Sequence, residues 1–221
     1  KLSSQIMYYP TQNTLMEGKK VRMIEHKTLT MDEVETGGYY KNCHLMAGSD
    51  EDSLRFSDVT FERCEFQQQV FEDSEWLDCH FMNIHFANAT FDHSVFYRCT
   101  FNTCQLTGTN FYHNHWKNTK VIDSKANYVN VNDSTIETCT FTDTNLIESS
   151  FQSVKIKKGL KFVRCDMNDA DFLDTRLKDV DFSKSYFDSL RVSIEQLKGA
   201  IISPLQASVF IQFLGVQISD D

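Results

Sequence analysis

The chain has 221 residues, of which 41% are apolar and 13% aromatic, the make-up of a folded globular domain and not of a disordered one. A formal net charge of −9 and a pI near 5.2 argue against direct binding to nucleic acid, whose phosphates repel such a surface. No run approaches the roughly 18 consecutive apolar residues of a membrane helix and no secretory pattern opens the sequence, so a cytoplasmic location without membrane contact is expected.

Residues 1–37 have mixed polar composition and no repeat, and read as an N-terminal cap or a partly disordered segment. A repeat domain is expected over 38–198. Large apolar residues recur every five positions, at Phe56, Phe61, Phe66, Phe71, Trp76, Phe81, Phe86, Phe91, Phe96, Phe101, Leu106, Phe111 and Trp116. Weaker members carry the series to Ile156, and after one extra residue it resumes from Phe162 to Val192. A period of five fits neither the 3.6 residues of an α-helix nor the 2 of a strand. The position two before each large residue is small or β-branched, as at Cys64, Ser74, Cys79, Ala89 and Ser94, so the unit is small-x-large-x-x.

Two interruptions are visible. Met46–Asp52 reads as a small acidic loop, and Lys157–Lys161 as a basic bulge or short loop at the register slip. Residues 199–221 leave the pattern. Ser203 as N-cap, Pro204 at the first helical position and Gly215 past the end predict a short helix. Its Leu205, Val209, Phe210, Phe213 and Leu214 exceed what one cap face needs and point to a dimer contact.

Runs such as Cys64-Glu65-Phe66, Ala89-Thr90-Phe91, Cys139-Thr140-Phe141 and Ala170-Asp171-Phe172 resemble the pentapeptide repeat family over roughly residues 38–198. The resemblance implies an all-β fold, a right-handed quadrilateral parallel β-helix with four pentapeptides per coil and the small and large residues both inside. Residues 20 apart then stack, placing Phe61, Phe81, Phe101, Val121 and Phe141 in one ladder and Trp76, Phe96, Trp116, Ile136 and Ile156 in another. The tail, with Gln206-Ala207-Ser208 and Leu214-Gly215-Val216, is similar to the C-terminal cap of the Qnr and MfpA branch, which implies a tail-to-tail homodimer.

Seven cysteines all fall on the small inward position and read as core, without catalytic or metal roles. His113-Asn114-His115 offers metal-ligand chemistry, but alternate residues point apart, and a solvated surface is the stronger reading. Gln69 and Asn114 replace small residues at inward positions, where they are expected to bond the backbone, and Ala126 replaces a large one. Without a Ser/His/Asp arrangement, a phosphate-binding glycine loop or HExxH, neither catalysis nor a cofactor is expected.

The remaining functional signal is acidity, banded along the chain. Asp58, Glu62, Glu65, Glu72, Asp73, Glu75, Asp78, Asp171, Asp174 and Asp181 are the expected acidic contact surface. The Qnr and MfpA resemblance implies that such a rod imitates DNA, occupies DNA gyrase or topoisomerase IV, and modulates quinolone sensitivity. The alternative is a protein-protein interaction scaffold for another partner, using the uncharged band from Cys99 to Trp116 with Tyr97 and Tyr112.

Overall fold

A five-residue unit closes into a coil only if the chain turns a corner once per unit. In the computed structural model, which describes residues 22–48, 53–212 and 216, the corner lies two residues after each large one. There φ is positive: 54° at Asp73, 55° at Asp78, 55° at Asn83, 60° at Asn88, 55° at His93, 53° at Arg98 and 56° at Thr103. This left-handed region costs most L-residues roughly 1–2 kcal/mol, while Asn, Asp and Gly enter it readily. Asp therefore recurs at corners, at 58, 73, 78, 123, 133, 143, 169, 174 and 179. Part of the acidity is a demand of the backbone.

Four corners per coil give a parallel β-solenoid of square section. Along one face Phe61 pairs with Phe81, Phe81 with Phe101, Phe101 with Val121, Val121 with Phe141, and Phe141 with Phe162. Along the adjoining face the order is Phe56, Trp76, Phe96, Trp116, Ile136, Ile156. These are the two expected ladders. A third face is registered by the bridges Val70, Thr90, Asn110, Asn130, Ser150 and Asp171, and a fourth by His85, Gln105, Lys125 and Asn145.

The register departs from 20 where the sequence is interrupted. Tyr40 pairs with Phe61, one residue more than a regular coil, across the acidic insertion, of which residues 49–52 lie outside the described residues. Glu137 pairs with Lys158 through a bulge after Ile136. That bulge sits inside one continuous strand, Lys155–Asp166, and not in a loop. Residues 22–37 build a shorter first coil, since Ile24 pairs with Tyr40. Its short helix Met31–Glu33 starts with the Thr30 amide donating to the Glu33 carboxylate at 2.8 Å.

Phenylalanines stack along the axis, as Phe71 on Phe91 at 4.7 Å and 10° and Phe81 on Phe101 at 4.8 Å and 12°. Around a coil they meet edge to face, as Phe86 and Phe91 at 5.1 Å and 89°. In the coil walled by Val121, Ala126 and Val131, the Trp116 indole fills the interior and reaches Phe141 at 6.2 Å.

The small positions do more than leave room. Ser94 donates to the Phe71 carbonyl at 2.9 Å, Thr109 to Phe86 at 2.7 Å, Ser134 to Phe111 at 2.9 Å and the Cys99 thiol to Trp76 at 3.1 Å. Each hydroxyl or thiol thus satisfies a carbonyl of the preceding coil. All seven cysteines are buried and free. Burial pushes the Cys64 and Cys104 thiols up to about 12 and Cys139 to about 11, so they stay protonated. Asn114 is inward as expected, its Oδ1 accepting from the Ser94 amide at 2.8 Å. Gln69 is not: it lies exposed on the outside, where the chain approaches the Val70 bridge.

The last coil is closed by Gln206, which is buried. Its amide donates to the carbonyls of Phe182 at 2.9 Å and Ser185 at 2.7 Å, and its Oε1 accepts from the Ser203 amide at 2.8 Å. The expected single helix is two pieces, a 3-10 turn Pro204–Gln206 and an α-helix Ala207–Gln212.

Candidate functional site

The square section sorts the acidic residues onto different sides. Asp58, Glu75 and Asp78 follow the face of Trp76 and Phe96; Glu62 and Asp181 lie on the face of Phe61 and Phe81; Glu65 is on the side of Phe66. Glu72, Asp73, Asp171 and Asp174 lie on the face of Phe71 and Phe91. The expected contact surface is therefore not one patch.

Several of these acids already have basic side chains from a neighbouring coil beside them. Asp78 takes both guanidinium arms of Arg98 at 2.5 and 2.6 Å, and the pairing raises the Arg98 pKa further. Glu75 lies 3.6 Å from Arg55, Glu62 3.4 Å from Lys41, Glu65 3.2 Å from His44 and Asp171 3.9 Å from Arg191. Exposed pairs like these are individually weak, but they cancel charge locally.

One face differs. Between Val70 and Asp174, its outward positions carry Glu72, Asp73, Asp92, Asp133, Asp171 and Asp174, with Asn110, Asn130, Asn132 and Gln152 between them, and neither Lys nor Arg. Among the described residues, Glu72, Asp73 and Asp174 have no ion pair. The polar ladder is itself hydrogen-bonded, Asn130 donating to Asn110 at 2.8 Å and the Gln152 side chain to Asp171 at 2.7 Å. The result is an ordered anionic strip, which sequence order hides because its members come from successive coils.

The histidines also regroup. His115 is exposed on the strand His115–Lys117, Asn114 points inward, and His113 instead stacks on His93 at 4.8 Å, beside Asp92. Tyr97 and Tyr112 fall on different faces, with the Arg98 guanidinium 4.1 Å over the Tyr97 ring.

At the C-terminal end, Val209 and Phe210 pack partly against the core, Phe210 meeting Phe187 edge to face at 5.7 Å. Leu205 is 89% exposed and Ile211 is also exposed. Phe213 and Leu214 lie outside the described residues. No described helix is long and apolar enough to cross a membrane.

These features define a quadrilateral β-solenoid built on a small-x-large-x-x unit. A family model described as a pentapeptide repeat region matches residues 94–160, and parallel pairing of successive coils continues on both sides of that span, with register shifts on the C-terminal side. Residues 94–160 are thus a pentapeptide repeat region. No curated protein matches it in sequence. Among solved structures it is similar to a trypsin-treated variant of QnrB1, a plasmid-mediated fluoroquinolone resistance protein. The identity is 15% over 90% of this chain and 98% of that one, with a TM-score of 0.49. Full-length QnrB1 gives 14% identity, coverages of 88% and 100%, and a TM-score of 0.35. HetL, involved in heterocyst differentiation regulation in the cyanobacterium Nostoc sp. strain PCC 7120, gives 10% identity, coverages of 82% and 83%, and a TM-score of 0.36.

Proposed function

We propose that this protein is a non-enzymatic DNA mimic that occupies the DNA-binding surface of a type II topoisomerase, DNA gyrase or topoisomerase IV, and modulates quinolone sensitivity. The observation that supports this reading is the strip from Val70 to Asp174, which holds six carboxylates and no Lys or Arg. It spans five coil steps, about 24 Å at strand spacing. A rigid anionic strip of this kind is attracted to a surface built to bind phosphates. Dimerisation through the C-terminal helix, with Leu205 outermost, would double its length.

The test is a gyrase supercoiling assay with and without ciprofloxacin, repeated over a range of salt. The expected result is inhibition or drug protection at micromolar protein, weakening steeply as salt rises. No effect on either topoisomerase would overturn the reading and leave the scaffold alternative.

A further inference from the structure

We propose that Asp92, His93 and His113 form a binding site for a zinc-class divalent cation. Their ligand atoms lie within 4.8 Å of one another. A tetrahedral zinc site, with bonds of about 2.0–2.1 Å, places ligand atoms roughly 3.3 Å apart. Side-chain adjustment of about an ångström therefore completes three-point ligation and leaves one position for water. Two imidazoles and a carboxylate suit zinc or cobalt better than magnesium or calcium.

An independent observation points to a ligand. Asp92 Oδ1 and His113 Nδ1 are both shielded from solvent, and neither has a hydrogen-bond partner. Shielded polar atoms without a hydrogen bond are costly, and a cation held between them would offset that cost. The His93 ring faces the same space, its Nδ1 3.2 Å from Asp92 Oδ1. A cation satisfies both orphans at once.

The fold supplies the geometry and the charge. His93 and His113 are consecutive members of one corner column, both left-handed at φ 55° and 54°, with Asp73 before them and Asp133 after. Backbone bonds fix the column: the Asp73 amide donates to the Asp92 carbonyl at 2.9 Å, His93 to Tyr112 at 3.1 Å and His113 to Asn132 at 3.0 Å. The Tyr112 ring walls the site, its centroid 3.9 Å from that of His113. Because the two histidines belong to successive coils, a bound cation pins one coil to the next. The site also stands at the edge of the strip that carries no Lys or Arg, so no resident cation competes with the metal.

Cobalt titration of the full chain tests the assignment. Wild type is expected to show the visible absorption of low-symmetry cobalt, saturating at one equivalent and displaced by zinc, and zinc is expected to raise the thermal midpoint. His93→Gln, at an exposed position, should weaken cobalt binding about ten-fold or more, and His113→Gln likewise. His85→Gln, on another face, should match wild type. The proposal is overturned if wild type gives no cobalt band at millimolar metal, or if folded His93→Gln binds cobalt as wild type does.

Discussion

The Val70–Asp174 face and the one opposite it, carrying Phe61, Phe81 and Phe101, have the same inner wall and different outer ones. Inside, Phe71, Phe91, Phe111, Val131, Phe151 and Phe172 mirror Phe61, Phe81, Phe101, Val121, Phe141 and Phe162, and all are buried. Outside, the opposite face mixes Arg63, Lys120, Lys161, Arg164 and Lys184 with Glu62, Asp123, Asp143 and Asp181. There Arg164 grips Asp143 at 2.6 and 2.5 Å and holds its carboxyl below the usual carboxylate range. The contrast separates two kinds of selection on one repeat. Packing dictates the inner residues and treats all faces alike, whereas nothing in the fold requires one face to lack cations.

The largest effects should come from the shared wall. Phe91→Ala and Phe101→Ala should each cost about 3–5 kcal/mol in urea denaturation, through lost burial and an unfilled cavity. Near-equality of the two is the sharp outcome, and a wide difference would break the equivalence of the walls. Next comes the outer surface. Lysine at Glu72, Asp73 and Asp174 together should weaken topoisomerase binding about a hundred-fold, while Asp123→Lys on the opposite face should change it less than about two-fold. A loss of about five-fold for Asp123→Lys, equal per reversed charge to that of the triple variant, would mean that total charge, not the strip, matters.

The smallest effect concerns His80, on the mixed face. Burial lowers its pKa below the ordinary 6.5, against the opposing pull of Asp78 and Asp58. The folded state thus holds the His80 proton less tightly than the unfolded chain. This contribution to stability is complete above about pH 6.5 and is lost as pH falls through the folded value. His80→Gln should therefore flatten the decline in urea midpoint between neutral and mildly acid pH. An unchanged slope would show that the ring is solvated.

The period of five, the two ladders and the burial of every cysteine were legible because each is repeated many times and depends on size alone. Gln69 was misplaced for the same reason, since counting assigns it an inward slot that the chain does not use there. The anionic strip and the pairing of His93 with His113 were hidden, because their members lie 20 residues apart and belong to one column in four. A comparison of every twentieth residue by charge would have found both. Gln206 was legible only as part of the cap-like run Gln206-Ala207-Ser208, not as the residue that closes the last coil. Its role depends on two carbonyls that only the last coil leaves open, and a polar residue in a turn looks ordinary.

The left-handed corners have a consequence for how such a protein changes over time. Asp and Asn fit that conformation nearly equally well, so exchanging one for the other at positions such as Asp133, Asn88 or Asn118 alters electrostatic potential with little conformational penalty. Surface potential can drift one unit per corner while the rod keeps its shape. A lineage of these rods can therefore be retuned toward differently charged partners by neutral steps, with no loop remodelled and no core side chain replaced.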